Sequence, residues 1–76
     1  MKRTYRIKGG DTIVAATPQE FVRELHEGSR FDFGGTDTEY MERFAIRLEQ
    51  LEGYRIRTDT PETFLGDLIE HGFVET

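Results

Sequence analysis

The side chains able to do chemistry are few and scattered. There is no cysteine, Ser29 is the single serine, and His26 and His71 are the two histidines. Each histidine falls in the last turn of an expected helix, one or two residues before a glycine. An imidazolium is favoured there by the exposed carbonyls of the helix end. The reading is therefore an exposed capping residue rather than a general base. Neither histidine has the short His/Cys spacing of a zinc site. Asp32, Asp37, Glu39 and Glu42 gather around Gly34-Gly35, and a hard cation uses such oxygens. The segment does not have the spacing of an EF-hand loop, however. Asp37 and Glu39 also have a simpler task at a helix N-terminus. Gly34-Gly35-Thr36 would offer amides to a phosphate, but the lysine of a phosphate-binding loop is absent and the nearby carboxylates repel the ligand. No catalytic set, metal or cofactor is expected.

Binding chemistry is better represented. Arg6 and Lys8 alternate with Tyr5 and Ile7, and Arg55 and Arg57 alternate with Tyr54 and Ile56. If both segments are strands with their apolar residues inward, the four cations share the outer face. Such a face suits an acidic protein partner or a phosphate backbone. Phe31 and Phe33 flank Asp32 in a loop ending in two glycines, and would anchor a partner if exposed. Ile46 stands on the back of the second helix, opposite its apolar stripe. Gly66 stands on the outer side of the third helix, where it costs about 1 kcal/mol relative to alanine. Either would suit a weak homodimer contact.

Three helices and three strands must position these residues. Thr4–Lys8 alternates with the strand period. Gly9-Gly10-Asp11 is a hairpin signal, and Thr12–Ala16 returns as the second strand. A two-residue turn would pair Lys8 with Asp11. A three-residue turn would pair Lys8 with Thr12 and set Ile7 beside Ile13, placing both isoleucines on one face. Thr17, Thr36 and Thr60 each read as a helix N-cap, with Pro18 and Pro61 at first helical positions. Glu20 and Glu39 stand where a capping box closes. Gly28, Gly53 and Gly72 read as helix stops, Gly28 in the left-handed conformation. Tyr54–Thr58 reads as the third strand, and Phe73-Val74 fold back onto the core.

This grammar explains a repeated motif. Thr17-Pro18-x-x-Phe21 and Thr60-Pro61-x-x-Phe64 share their pattern with Thr36-x-x-Glu39-Tyr40. Each is a threonine cap, one turn, and an aromatic for the core, so the motif is a helix start rather than a catalytic box. Tyr5-Arg6-Ile7-Lys8 and Tyr54-Arg55-Ile56-Arg57 are also alike. An old strand–helix duplication and convergence on the same alternation both account for that.

The expected fold is α+β, a two-layer sandwich over residues 1–76 as a single domain. A small three-stranded sheet in order 2-1-3 carries three helices on one face, in the element order β-β-α-α-β-α. The expected core is Tyr5, Ile7, Phe21, Leu25, Tyr40, Phe44, Leu48, Leu51, Ile56, Phe64, Leu68 and Phe73. Fifteen acidic against ten basic residues give a net charge of −5, which opposes attraction to nucleic acid or an anionic membrane. No apolar run is long enough to span a bilayer, and the N-terminal charges lack the apolar stretch of a secretory signal. Absence of cysteine suits a reducing cytoplasm. The expectation is a non-enzymatic protein-interaction module using Arg6, Lys8, Arg55, Arg57, Phe31 and Phe33. Nucleic-acid binding through the same face is the alternative, followed by a metal or enzymatic role at the acidic loop.

Overall fold

The hairpin sets the frame. In a computed structural model that describes residues 1–28 and 34–76, strand β1 spans Arg3–Ile7 and β2 spans Thr12–Ala15. The Ile7 amide donates to the Asp11 carbonyl at 2.7 Å, and the Gly10 amide to the Ile7 carbonyl at 3.1 Å. Lys8-Gly9-Gly10 therefore form a three-residue loop. Gly9 and Gly10 have φ of 111° and 108°, a conformation that a Cβ would strain. The loop starts one residue earlier than either expected register, so Tyr5 faces Ile13 and Arg6 faces Thr12. Relative to the three-residue register, the partner shifts by two positions, which preserves the faces. Tyr5, Ile7, Ile13 and Ala15 are all buried on one side, while Thr4, Arg6, Thr12 and Val14 are exposed on the other.

Three helices follow: α1 (Pro18–Glu27), α2 (Asp37–Glu52) and α3 (Pro61–Glu70). Each starts at its expected threonine, whose hydroxyl accepts the amide three residues on, at 3.1 Å in all three cases. At α2 the capping box closes, because the Thr36 amide donates to Glu39 Oε1 at 3.0 Å. At α1 the Glu20 carboxylate instead lies 3.3 Å from Lys2 Nζ. Gly28 ends α1 with φ −79°, in the right-handed rather than the expected left-handed region. Helix α3 ends in a reversal: the Phe73 amide donates to the Leu68 carbonyl and the Gly72 amide to that of Ile69. This is the Schellman pattern, with Gly72 at φ 77°. It turns the chain straight into β3, Val74–Glu75.

The sheet order is β2-β1-β3, with β1 antiparallel to both neighbours. The α+β class, the sheet order and the three helices are as the sequence implied. The third strand differs. Tyr54–Thr58 pairs with no strand among the described residues, and Val74–Glu75 takes the place beside β1, so the elements run β-β-α-α-α-β. The reason is local. The Gly72 reversal delivers Val74 to the open edge of β1, where Lys8 donates its amide to Phe73. Alternation in Tyr54–Thr58 still reports sidedness: Ile56 is buried while Arg55 and Arg57 are exposed.

The core lies between the sheet and the helices. Phe21, Phe64 and Leu68 are fully buried, and Tyr5 meets Phe21 edge-on at 5.1 Å. Burying a large apolar side chain of this kind contributes about 1.5–3 kcal/mol. Ile13, Val22, Met41, Ala45, Leu65 and Val74 join the expected core, and Leu25, Phe44 and Phe73 are partly buried at its rim. Leu51, expected inside, is 80 % exposed. Helix α2 has 16 residues against 10 in each of α1 and α3. At 1.5 Å per residue its last turn projects past the core. No helix among the described residues is long and apolar enough to cross a membrane.

Candidate functional site

The four cations expected on one sheet face do not stand on neighbouring strands. Arg6 is on β1, with its guanidinium 3.8 Å from Glu75 on β3. Lys8 caps the hairpin and reaches Glu52 at the end of α2, at 3.4 Å. Arg55 is exposed on the extended segment after α2. Arg57 is turned onto α3, where Nε and Nη2 donate to the two carboxylate oxygens of Asp67 at 3.0 and 2.8 Å. The assembly of a single basic face required Tyr54–Thr58 to be a strand of the sheet, and it is not. Phe31 and Phe33, the other expected contacts, lie outside the described residues, as does Asp32.

His26 also departs from expectation, whereas His71 is the exposed helix cap expected. His26 is buried, not exposed. Its Nδ1 lies 2.9 Å from Asp37 Oδ1 and its Nε2 3.1 Å from the Gly34 carbonyl oxygen, and its ring stacks on Tyr40 at 4.6 Å. The ring thus joins the end of α1 to the start of α2 and offers neither nitrogen to a substrate. His71 is exposed and stacks on Tyr54 at 4.7 Å. Asp37 is taken up by His26. Glu39 is taken up by the cap, where the Thr36 amide holds its carboxyl below the ordinary carboxylate range. Among the described residues no three His, Asp or Glu side chains are grouped to hold a metal ion. Asp67, absent from the sequence-based site, is buried and has a shifted acidity. The Arg57 guanidinium and amide together lower its carboxyl to about 2.

The open surfaces of the described residues include two with exposed apolar side chains. The first is an apolar cleft of about 210 Å³ at the projecting end of α2, lined by Phe44, Arg47, Leu48, Leu51, Glu52 and Phe73. The second is the outer edge of β2. Ile7 bonds Asp11 across the hairpin, so the alternation of the antiparallel ladder turns Asp11, Ile13 and Ala15 toward β1. Thr12 and Val14 therefore direct their N–H and C=O groups outward, and Ala16, in the bend just past the strand, its N–H. Thr12–Ala16 contains no charge and no proline, the devices that usually blunt an edge strand. Val14 is 48 % exposed. Beside this edge runs a groove of about 350 Å³ between β2 and α1, lined by Ile13, Val14 and Leu25 together with the carboxylates Asp11 and Glu24.

Gly66 and Ile46 are both at the surface. A Cβ built at Gly66 meets nothing within 4 Å, so no contact inside the chain demands glycine there. The chain matches no protein-family model, no curated protein and no solved structure.

Proposed function

We propose that this chain is a small, non-enzymatic protein-interaction module that acts by strand addition at the β2 edge. One observation carries the reading. An uncharged, proline-free strand at the edge of the sheet turns backbone groups of Thr12, Val14 and Ala16 away from β1, beside a groove that is open among the described residues. An extended segment of a partner satisfies those groups and places alternate side chains in the groove. Asp11 and Glu24 in the groove favour a partner with a cation at that position. This revises the chemistry first expected from the basic residues. Arg6, Lys8 and Arg57 each face a carboxylate of the chain itself, which weakens the case for an acidic partner or for nucleic acid. A cytoplasmic setting belongs to the same reading and rests on the absence of cysteine.

The test uses dilute isotopically labelled protein and a short alternating Val/Thr peptide carrying one lysine. Strand addition predicts slowed amide exchange at Thr12, Val14 and Ala16, and no response in Val14→Pro. Proline at position 14 removes only an outward-facing N–H, which edge strands tolerate. An unchanged Val14 amide at peptide saturation would sink the reading. A single-stranded oligonucleotide that instead perturbs Arg6, Lys8 and Arg55, with steep salt dependence, would favour nucleic acid.

A further inference from the structure

We infer that the segment added to the β2 edge is β2 of a second copy of this chain, in an antiparallel pair centred on Val14; this rests on the strand-addition reading above. The backbone geometry selects the register. Only Thr12, Val14 and Ala16 face outward, so they must be the residues that bond across the interface. A two-fold axis at Val14 pairs Val14 with its own copy and Thr12 with Ala16 of the other. Val14 then exchanges two bonds with its copy, and each Ala16 amide meets a Thr12 carbonyl. An axis at Ile13 leaves Ala16 without a partner, and one at Ala15 leaves Thr12 without one. The isologous contact closes on itself, so the product is a dimer rather than a fibre. Val14 meets Val14 on the open face, where both side chains are exposed in the single chain.

Charge complementarity points to a second copy as the occupant. On β1, Arg3 pairs with Ala15 of β2, at the opposite end of the hairpin from Asp11. Among the described residues, Arg3, Asp11 and Glu24 take part in no ion pair. In the Val14-centred register, Ala15 of one copy lies opposite Ile13 of the other. Arg3 then comes level with that Ile13, two strand spacings away, or about 10 Å. An arginine side chain covers most of that distance and brings its guanidinium to the groove that holds Asp11 and Glu24. The symmetry repeats the contact, so each copy both gives and receives a cation. The edge thus supplies a cation that the described lining of its own groove lacks.

Sedimentation velocity over a concentration series tests this, with circular dichroism confirming that each variant folds. The wild type is expected to dimerise with a Kd below about 1 mM. Val14→Pro removes an N–H from the central pair and is expected to weaken association at least about tenfold. Arg3→Glu is expected to weaken it roughly fivefold or more, since two symmetric pairs turn repulsive. Adding Asp11→Lys and Glu24→Lys to Arg3→Glu is expected to restore it, which keeps the test open if Val14→Pro misfolds. A wild type that stays monomeric throughout, or a charge-swapped triple variant no better than Arg3→Glu, overturns the dimer. If the wild type is monomeric but the Val/Thr peptide still slows Val14 exchange, the dimer falls and strand addition stands. If neither occurs, both fall.

Discussion

Arg57 meets Asp67 through three donors: its amide at 2.8 Å, Nε at 3.0 Å and Nη2 at 2.8 Å. The carboxylate is buried and the guanidinium stem reaches it from the surface. This contact ties the extended segment after α2 to α3 and gives the Arg57 amide the partner that a neighbouring strand would otherwise supply. Asp67→Asn loses the charge-assisted pairing and is expected to lower stability by about 2 kcal/mol. The urea midpoint, with an unchanged slope, reads that loss.

The same carboxyl links stability to pH. Its folded value, about 2, lies below the ordinary 3.8, so the unfolded chain binds its proton more readily. The stabilisation is fully present above the unfolded value and is lost as pH falls from about 4 toward 2. Thermal midpoints of the wild type and Asp67→Asn should therefore converge across that window. Glu39, also lowered, acts in the same direction in both proteins.

His26 predicts a second buried polar dependence. His26→Leu keeps most of the volume but leaves the Gly34 carbonyl and the Asp37 carboxylate without the ring's hydrogen bonds. A cost of about 1–3 kcal/mol is expected from the urea midpoint. His71→Ala, at an exposed site, should stay within about 0.5 kcal/mol.

Leu51 and Phe64 separate the expected core from the observed one. Phe64→Ala opens a cavity at a fully buried site and should cost about 3–5 kcal/mol, enough to leave a chain of this size largely unfolded. Leu51→Glu should be neutral within about 0.5 kcal/mol. Paired denaturation curves decide between these outcomes and a cost at Leu51 comparable to that at Phe64.

Hydrogen exchange checks the ladder. In dilute protein the Ile13 amide, turned to β1, should exchange far more slowly than the Val14 amide, turned to solvent. The reverse order would mean that the hairpin pairs in the other register.

The sequence by itself determined whatever depends on near neighbours along the chain. Thr17, Thr36 and Thr60 start helices because a hydroxyl reaches the amide three residues on, and this needs no tertiary partner. Gly9 and Gly10 mark the turn for an equally local reason. Alternation in Tyr5–Ile7 and around Ile56 correctly separated buried from exposed side chains, since side-chain direction is a property of extended backbone. What alternation does not encode is which strand, if any, receives the backbone hydrogen bonds. That was decided by the Gly72 reversal, which delivered Val74 to β1 and left Tyr54–Thr58 to α3. With that choice Arg55 and Arg57 left the sheet that carries Arg6. Only the tertiary structure could show that His26 reaches Asp37 and Gly34, that Asp67 receives Arg57, and that Leu51 projects past the core. Each depends on where helices of unequal length come to lie beside one another. The outer edge of β2 is a mixed case. Its lack of charge and proline is written in Thr12–Ala16, but its outward-facing residues follow from the Ile7–Asp11 bond that closes the hairpin.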